Sequence, residues 1–230
     1  MQKKHSIRTL KKDVKKKLIS SEFCSEHELT KSFSKEQLIA PLISFFCSTD
    51  PLLKWRSITV FSRIVDIIAL ENMEKARVIM RRLMWTLNEE SGGVGWGAPE
   101  SMGEIMRIND GLAEEYHKIL FSYIDDHGNF LDYEPLQIGV LWGIYSLSKR
   151  RPDLVIKSLP AVREYFNSDN GVGRGLALII AENTNDVSSE NHIRELITDE
   201  TEITLFDDGH FIKIQLSRLA KKVLLQFSKK

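Results

Sequence analysis

Residues 50–106 decide the fold, and they read DPLLKWRSITVFSRIVDIIALENMEKARVIMRRLMWTLNEESGGVGWGAPESMGEIM. Asp50 has a side chain suited to capping a helix, and Pro51 follows at the first helical position, where a missing N–H costs nothing. We predict one helix from there to Leu70 and a second from Met73 to about residue 90, because apolar residues recur at helical spacing. In the second helix these residues are Ala76, Met80, Leu83 and Leu87.

A glycine-rich link over residues 91–97 ends the second helix, and Ala98 begins the next. The link follows a helix rather than a strand, which argues against a dinucleotide-binding loop. Glycine costs ordering entropy, so Gly93 and Gly95 indicate that the backbone passes very close to other backbone or to a ligand. A positive φ at Gly95 would make even a methyl group unfavourable there. We interpret Trp96 either as a plug over the helix pair or as an exposed anchor for a partner.

The rest of the chain is helical in pattern almost throughout. Residues 34–37 have the form of a capping box, and Asn109 and Pro135 mark two later helix starts. Residues 202–206 and 210–214 alternate in polarity around Asp208-Gly209, which predicts a two-residue hairpin turn. We therefore predict an all-α protein with one small β-hairpin near the C-terminus. Helices that each carry one apolar stripe and follow one another closely favour an α-solenoid of antiparallel pairs.

Composition excludes several classes of protein and of site. The 230 residues carry 32 basic and 32 acidic side chains, so overall charge gives no argument for nucleic-acid binding. No apolar stretch is long enough for a bilayer, and the start lacks the apolar core of a secretory signal, so we expect a cytoplasmic protein without a membrane span. No two histidines have i, i+4 spacing, and the acid-rich turn from Asp125 to Glu134 lacks the EF-hand order of ligands. We predict no metal site, no cofactor and no catalytic residue.

The first 17 residues are strongly basic, with eight lysine or arginine side chains against one acid, Asp13. We divide the chain into a basic N-terminal arm or helix, residues 1–33, and a helical domain, residues 34–230. One interpretation of the basic segment is a solvated first helix or a frayed terminus that adds little to the core. The other is nucleic-acid binding through residues 3–17, because each phosphate contact would release counterions. No aromatic side chain interleaves the lysines to stack on a base.

Several residues between Pro51 and Leu154 resemble an uncharacterised family of HEAT-like repeat proteins associated with sulfate-reducing bacteria. The resemblance rests on Trp55-Arg56, Arg81-Arg82-Leu83-Met84-Trp85, residues 88–100, Leu141-Trp142-Gly143 and Arg151-Pro152. It implies a solenoid of degenerate HEAT-like helix pairs. It implies no activity and no catalytic residues.

Like-charged side chains lie four residues apart on both sides of the glycine-rich link. Arg77 and Arg81 share a face of the helix before it, and Glu100 and Glu104 share a face of the helix after it. If the two helices are antiparallel, Arg81 lies opposite Glu100 and Arg77 lies opposite Glu104. We predict this ion-pair ladder, either as a structural network or as a polar surface that holds a charged ligand or partner.

These features predict a non-enzymatic helical-repeat protein that binds another macromolecule, with an unidentified protein as the first choice, through a polar surface around its second and third helix pairs. Two alternatives stay open: an enzyme or small-ligand sensor that uses the Arg/Glu/Asn cluster at residues 77–104, and nucleic-acid binding led by the N-terminus. Trp85 is expected to neighbour Trp96 or to form a cation–π contact with an adjacent arginine. The candidate binding residues are Arg77, Arg81, Arg82, Trp85, Asn88, Glu89, Glu90, Gly93, Gly95, Trp96, Glu100 and Glu104.

Overall fold

A computed structural model describes residues 7–20, 26–88 and 95–228. The chain forms two compact units, residues 1–101 and 102–230. The described residues are mostly helical, with a two-stranded antiparallel hairpin near the C-terminus, so the predicted helical class and the predicted hairpin are confirmed. None of the helices in these ranges combines the length and the apolar character that crossing a bilayer requires.

The helices of the first unit are α1 (Ile7–Leu18), α2 (Glu26–Thr30), α3 (Lys35–Ile43), α4 (Pro51–Glu71) and α5 (Met73–Leu87). Helix α6 (Ala98–Ile108) contains the residue at which the first unit ends. The second unit continues with α7 (Asp110–Ser122), α8 (Glu134–Ser148), α9 (Pro152–Val155), α10 (Leu159–Glu164), α11 (Gly171–Thr184), α12 (Glu190–Glu195), β1 (Glu202–Asp207), β2 (His210–Gln215) and α13 (Leu216–Phe227).

Side-chain caps begin the helices where the sequence predicts them. The Ser34 side chain accepts a hydrogen bond from the Gln37 backbone, and the Gln37 side chain accepts one from the Ser34 backbone. Asp50 caps α4 with a carboxylate oxygen 3.0 Å from the Leu52 nitrogen, and Asn109 caps α7. Each cap satisfies backbone N–H groups that have no partner within the helix, which fixes the helix start locally.

Helix α1 belongs to the core of the first unit. Leu10, Val14 and Leu18 lie on one face and are buried against α3 and α4. The Arg56 guanidinium donates hydrogen bonds to the carbonyl oxygens of Leu18 at 2.8 Å and Ser20 at 2.7 Å, which satisfies the end of the helix. The expectation that the basic segment adds little to the core is therefore wrong for residues 7–20, because its lysines occupy only one side of an amphipathic helix.

Helix α4 is the central element of the first unit, and both α3 and α5 pack against it. Its interior residues are almost entirely withdrawn from water, including Ile58, Phe61, Ile64 and Val65. Helix α5 contributes the apolar stripe predicted from its sequence, and Ala76, Met80, Leu83 and Leu87 are all buried. Burial of one stripe leaves the opposite side of α5 in contact with solvent.

Helices α6 and α8 meet backbone to backbone within the second unit. A Cβ atom built on Gly103 would lie 2.1 Å from the Cα atom of Gly143, closer than any real contact. Gly143 therefore permits close helix packing, and its partner is Gly103. A methyl group at this crossing would force the two helices apart.

The hairpin pairs residue 202 with residue 215 and residue 207 with residue 210. Asp208 and Gly209 form its turn, with φ angles of 41° and 95°. Positive φ at both central residues is the geometry of the short turns that match strand twist. The Trp142 indole on α8 donates a hydrogen bond of 3.1 Å to the Phe206 carbonyl, which fastens the hairpin to the helices of its unit.

We expect Leu18→Ala to lower the free energy of unfolding of the first unit by about 2–5 kcal/mol, because the change leaves a cavity beneath α1. Ile19→Ala is the matched control, since Ile19 is exposed, and its effect should stay below about 0.5 kcal/mol. Urea unfolding followed by tryptophan fluorescence measures both. Equal stability of the two variants would show that α1 does not pack as described.

A second pair of variants tests the helix crossing. Gly103→Ala should cost at least ~2 kcal/mol because its methyl group meets backbone rather than a movable side chain. In Gly173→Ala, in α11, the added methyl group meets side-chain atoms and no backbone atom, at 3.1 Å and beyond, and the change gains helix propensity, so its effect should be close to zero. Thermal unfolding of the two proteins gives the comparison, and a Gly103→Ala protein as stable as the Gly173→Ala protein would contradict the contact.

Candidate functional site

Helix α5 turns one charged and aromatic face to solvent. Glu74, Val78, Arg81, Arg82 and Trp85 lie on this face, which we call the α5 outer face, and all five are exposed. Their spacing of three or four residues places them on one side of the helix, opposite the buried stripe. The helix carries four basic side chains and one acidic side chain, so its net charge is +3.

Glu74 holds two of the arginines. Arg81 donates a hydrogen bond of 2.6 Å to one carboxylate oxygen, and Arg77 approaches the other at 3.5 Å. The hydrogen bond from Arg81 is the largest cause of a lowered pKa of the Glu74 carboxyl. Because these side chains are exposed, the ion pairs orient the arginines more than they stabilise the fold.

A stripe of Val78, Arg82 and Trp85 runs along the middle of the outer face, and we call it the Trp85 stripe. Val78 is 54% exposed and Trp85 is 71% exposed, so their apolar surfaces lie side by side in water. Arg82 forms no ion pair with any residue the structure describes. Within the described ranges the Trp85 ring has neither an aromatic nor a cation–π partner, so the contacts expected for it with Trp96 or an arginine are not formed.

The predicted ion-pair ladder is wrong. Arg81 pairs with Glu74, while Glu100 pairs with Lys54 at 3.0 Å. Glu104 pairs with Arg107, three residues along its own helix, at 2.5 Å. The arginines lie on the exposed face of α5 and both glutamates are 5% exposed, so the two sets of charges occupy different environments. The four-residue spacing does place each like-charged pair on one face of its helix, but spacing alone does not show whether that face is buried.

Lys54 on α4 connects the glycine-rich link to the core of the first unit. Its ammonium lies 5.3 Å from the ring centre of Trp55 and 6.0 Å from that of Trp96, and it forms the ion pair with Glu100. Trp96 is half-buried, between the plug and the exposed anchor that the sequence left open. One oxygen of Glu100, Oε2, is buried without a hydrogen-bond partner, so Lys54 supplies the main compensation for that buried charge.

The glycines at the end of the link meet different constraints. One has no room for a Cβ atom, and another has a positive φ angle. A Cβ atom on Gly95 would lie 2.8 Å from the Thr86 carbonyl oxygen, which confirms the predicted close approach of backbone to backbone. Positive φ, considered for Gly95, occurs instead at Gly97, with φ of 74°. Asn88 is the C-terminal cap residue of α5 and is exposed. The candidate residues Glu89, Glu90 and Gly93 lie outside the described residues.

Glu104 is part of a buried polar network in the second unit. Its carboxylate accepts hydrogen bonds from the Arg107 guanidinium at 2.5 and 2.9 Å and from the Ser146 hydroxyl at 2.5 Å. The hydrogen bond with Glu104 raises the pKa of Arg107, which stays positively charged. With both oxygens occupied, Glu104 serves helix packing rather than ligand binding.

Sequence reasoning missed Val78 and Lys54. Val78 could have been found, because it lies seven residues before Trp85 on the same helical face. Nothing in the sequence marks Lys54, since its partners Glu100 and Trp96 lie more than 40 residues away. The described ranges contain no group of three or more His, Cys, Asp or Glu side chains placed to hold a metal ion.

Comparison with known proteins finds a sequence relative over part of this chain and solved structures with a similar fold. No protein-family model matches the chain. Over 85 residues it is 35% identical to an uncharacterised protein of Archaeoglobus fulgidus, a match that covers 37% of this chain and only 43% of that protein. Two crystal structures of engineered proteins from the Northeast Structural Genomics Consortium have TM-scores of 0.53 at 11% and 12% identity, over 96% of this chain and 97% and 99% of theirs. The two structures are similar to this chain in fold alone and carry no activity.

We expect Lys54→Met alone to lower the free energy of unfolding by about 2–4 kcal/mol, because it leaves the Glu100 carboxylate buried without a cation. The double variant Lys54→Met with Glu100→Gln should regain at least ~1 kcal/mol of that loss. Chemical denaturation of the full cycle measures the coupling.

The exposed pair provides the control for this cycle. Glu74→Gln and Arg81→Gln, separately and together, should leave the free energy of unfolding nearly unchanged, because both side chains are exposed. Additive effects of the Lys54 and Glu100 changes would show that these two side chains do not depend on each other.

Proposed function

We propose that this chain is a non-enzymatic helical-repeat protein, HEAT-like in arrangement, that binds another protein through the α5 outer face. The repeat arrangement draws support from the packing of successive helices α3, α4 and α5 in the first unit. The binding role draws support from the side chains that these packed helices leave exposed. The described residues of the predicted Arg/Glu/Asn cluster do not form one group. Some lie on the α5 outer face and others form buried ion pairs, which favours a binding surface over a single reaction centre.

The Trp85 stripe is the observation that carries the proposal. Trp85 and Arg82 belong to the residue types that dominate the energy of protein–protein interfaces. Their side chains lie on a helix whose other face is buried in the core. Little backbone conformational freedom would therefore be lost when a partner binds. A tryptophan left 71% exposed gains most from a partner that removes its ring from water.

Charge indicates what kind of partner fits this face. Glu74 is the one acid on α5, and it already lies between Arg77 and Arg81, so the helix keeps a net positive charge. An acidic protein segment with apolar residues would pair its carboxylates with Arg82 and its neighbours and cover Val78 and Trp85. Charge-assisted hydrogen bonds from arginine to carboxylate are stronger than neutral ones and have defined geometry.

Selection from a random peptide library displayed on phage, with the purified full chain as target, tests the proposal. Enriched peptides should combine Asp or Glu with apolar residues. Binding of the synthetic peptides should weaken at least ~10-fold with Trp85→Ala and should weaken with rising salt. Leu225→Ala, which removes another exposed large apolar side chain from a different helix, should leave binding unchanged.

Two results would contradict this assignment. The first is enrichment of basic or uncharged peptides in place of acidic ones. The second is equal loss of binding in the Trp85→Ala and Leu225→Ala proteins.

Nucleic-acid binding led by α1 is a second candidate, and the packing of that helix favours it. With Leu10, Val14 and Leu18 buried, the exposed side of α1 holds its cations on an ordered helix rather than on a frayed end. These cations include Arg8, Lys11, Lys12, Lys15 and Lys16. Titration of a fluorescent 20-nucleotide RNA against the full chain and a Lys12→Glu, Lys16→Glu variant separates the two candidates. If the full chain binds the RNA with a steep salt dependence and the variant does not bind it, the result favours nucleic-acid binding.

A further inference from the structure

The second unit contains an open cavity of about 660 Å³ beside the turn at residues 125–130. Its walls come from the end of α7, that turn, the start of α8 and the segment from residue 157 to residue 168. The volume falls within the range of small-ligand sites, which are concave and contain both apolar walls and a few polar groups. None of the residues selected from the sequence as binding candidates lines it.

The charged side chains that line this cavity have no counterions among the residues that the structure describes. The cavity is lined by four carboxylates, Asp125, Asp126, Glu134 and Glu164, and by one lysine, Lys157. Within the described residues none of these five side chains takes part in an ion pair. Other acids of the same unit are paired with arginine or lysine, including Asp110, Glu114, Asp153, Asp186, Asp199 and Glu202. Four carboxylates without a counterion among the described residues thus lie together at one concave place.

Aromatic side chains form the apolar part of the wall. Phe121 and Tyr165 are buried, while Phe130 is exposed at the rim. Burial, together with the negative charges of Asp126 and Glu134, raises the pKa of the Tyr165 hydroxyl to about 12. The charges of those two carboxylates therefore act within the cavity as far as its aromatic wall.

The turn that forms the rim is held in place before any ligand arrives. The Leu131 nitrogen donates a hydrogen bond of 3.1 Å to the Tyr123 carbonyl, and the Gln137 amide donates one of 2.6 Å to the Leu131 carbonyl. The Asn129 amide donates to the Ser122 hydroxyl at 3.0 Å. A rim fixed in this way loses little conformational freedom on binding.

We infer that this cavity binds an organic polycation whose ammonium groups are separated by methylene segments, as in a linear polyamine or a lysine-rich peptide segment. Asp125 and Asp126 are adjacent, while Glu134 and Glu164 come from two other places in the chain, so the carboxylates can meet several spaced charges. Methylene segments would pack against Phe130 and Tyr165, and an ammonium group over an aromatic face gains cation–π attraction. The single lysine leaves the lining with a net charge of −3, which matches a triamine.

Isothermal titration of the full chain with spermidine, a linear triamine, tests the inference. Spermidine should bind at least ~10-fold more tightly than 1,3-diaminopropane, which offers fewer charges, and more tightly than Mg²⁺, which gains nothing from an aromatic wall. Asp126→Asn combined with Glu134→Gln should weaken spermidine binding at least ~10-fold. Phe130→Ala should weaken it too while leaving thermal unfolding nearly unchanged, since that ring is exposed.

Asp132→Asn is the matched control, because Asp132 is an exposed acid next to the turn that does not line the cavity. Its effect on spermidine binding should be less than about twofold. A lysine–glycine peptide titrated in parallel identifies the source of the ammonium groups, and tighter binding than spermidine with the same variant profile would assign the cavity to a basic peptide. The inference is overturned if spermidine gives no binding up to ~10 mM, if Mg²⁺ binds more tightly, or if Asp132→Asn weakens binding as much as the double variant does.

Discussion

Several helices of this protein carry one apolar stripe, and each stripe leaves water only when a neighbouring element covers it. Helix α4 covers α3 and α5 in this way, and the same requirement draws the lysine-rich α1 into the core of the first unit. A stripe that occupies one side of a helix leaves the other side free for charge. The basic side of α1 and the outer face of α5 are therefore consequences of how the core is built.

This packing buries two carboxylates, which is unfavourable, and side chains in direct contact with each of them compensate for the burial. Glu100 depends on Lys54, while Glu104 is satisfied by Arg107 and Ser146. Both glutamates are buried in the protein interior, where an unpaired carboxylate would be strongly unfavourable. The exposed acids around the cavity of the second unit meet no such cost in water, so they remain available to a cation from outside.

Local interactions explain why so much of the secondary structure could be predicted. The caps at Ser34, Asp50 and Asn109 bond to backbone within three residues, and the hairpin turn at Asp208-Gly209 depends on the φ angles that those two residues tolerate. The buried stripe of α5 follows from helical periodicity in the same way. For the candidate site, this local reasoning located the arginines and Trp85 on one helix, but it did not establish what lies opposite them.

The sequence by itself thus determined the helix starts, the apolar stripes and the hairpin. Only the tertiary structure decided the partners: Gly103 for Gly143, Lys54 for Glu100 and Glu74 for Arg81. Tertiary structure also decided which tryptophan is exposed, and it assembled a cavity from two stretches of the chain, residues 121–137 and 157–168. The physical reason is that caps, turns and stripes act over a few residues along the chain. Ion pairs, close contacts and cavities depend on which faces of distant elements come together, and spacing along one helix does not encode that.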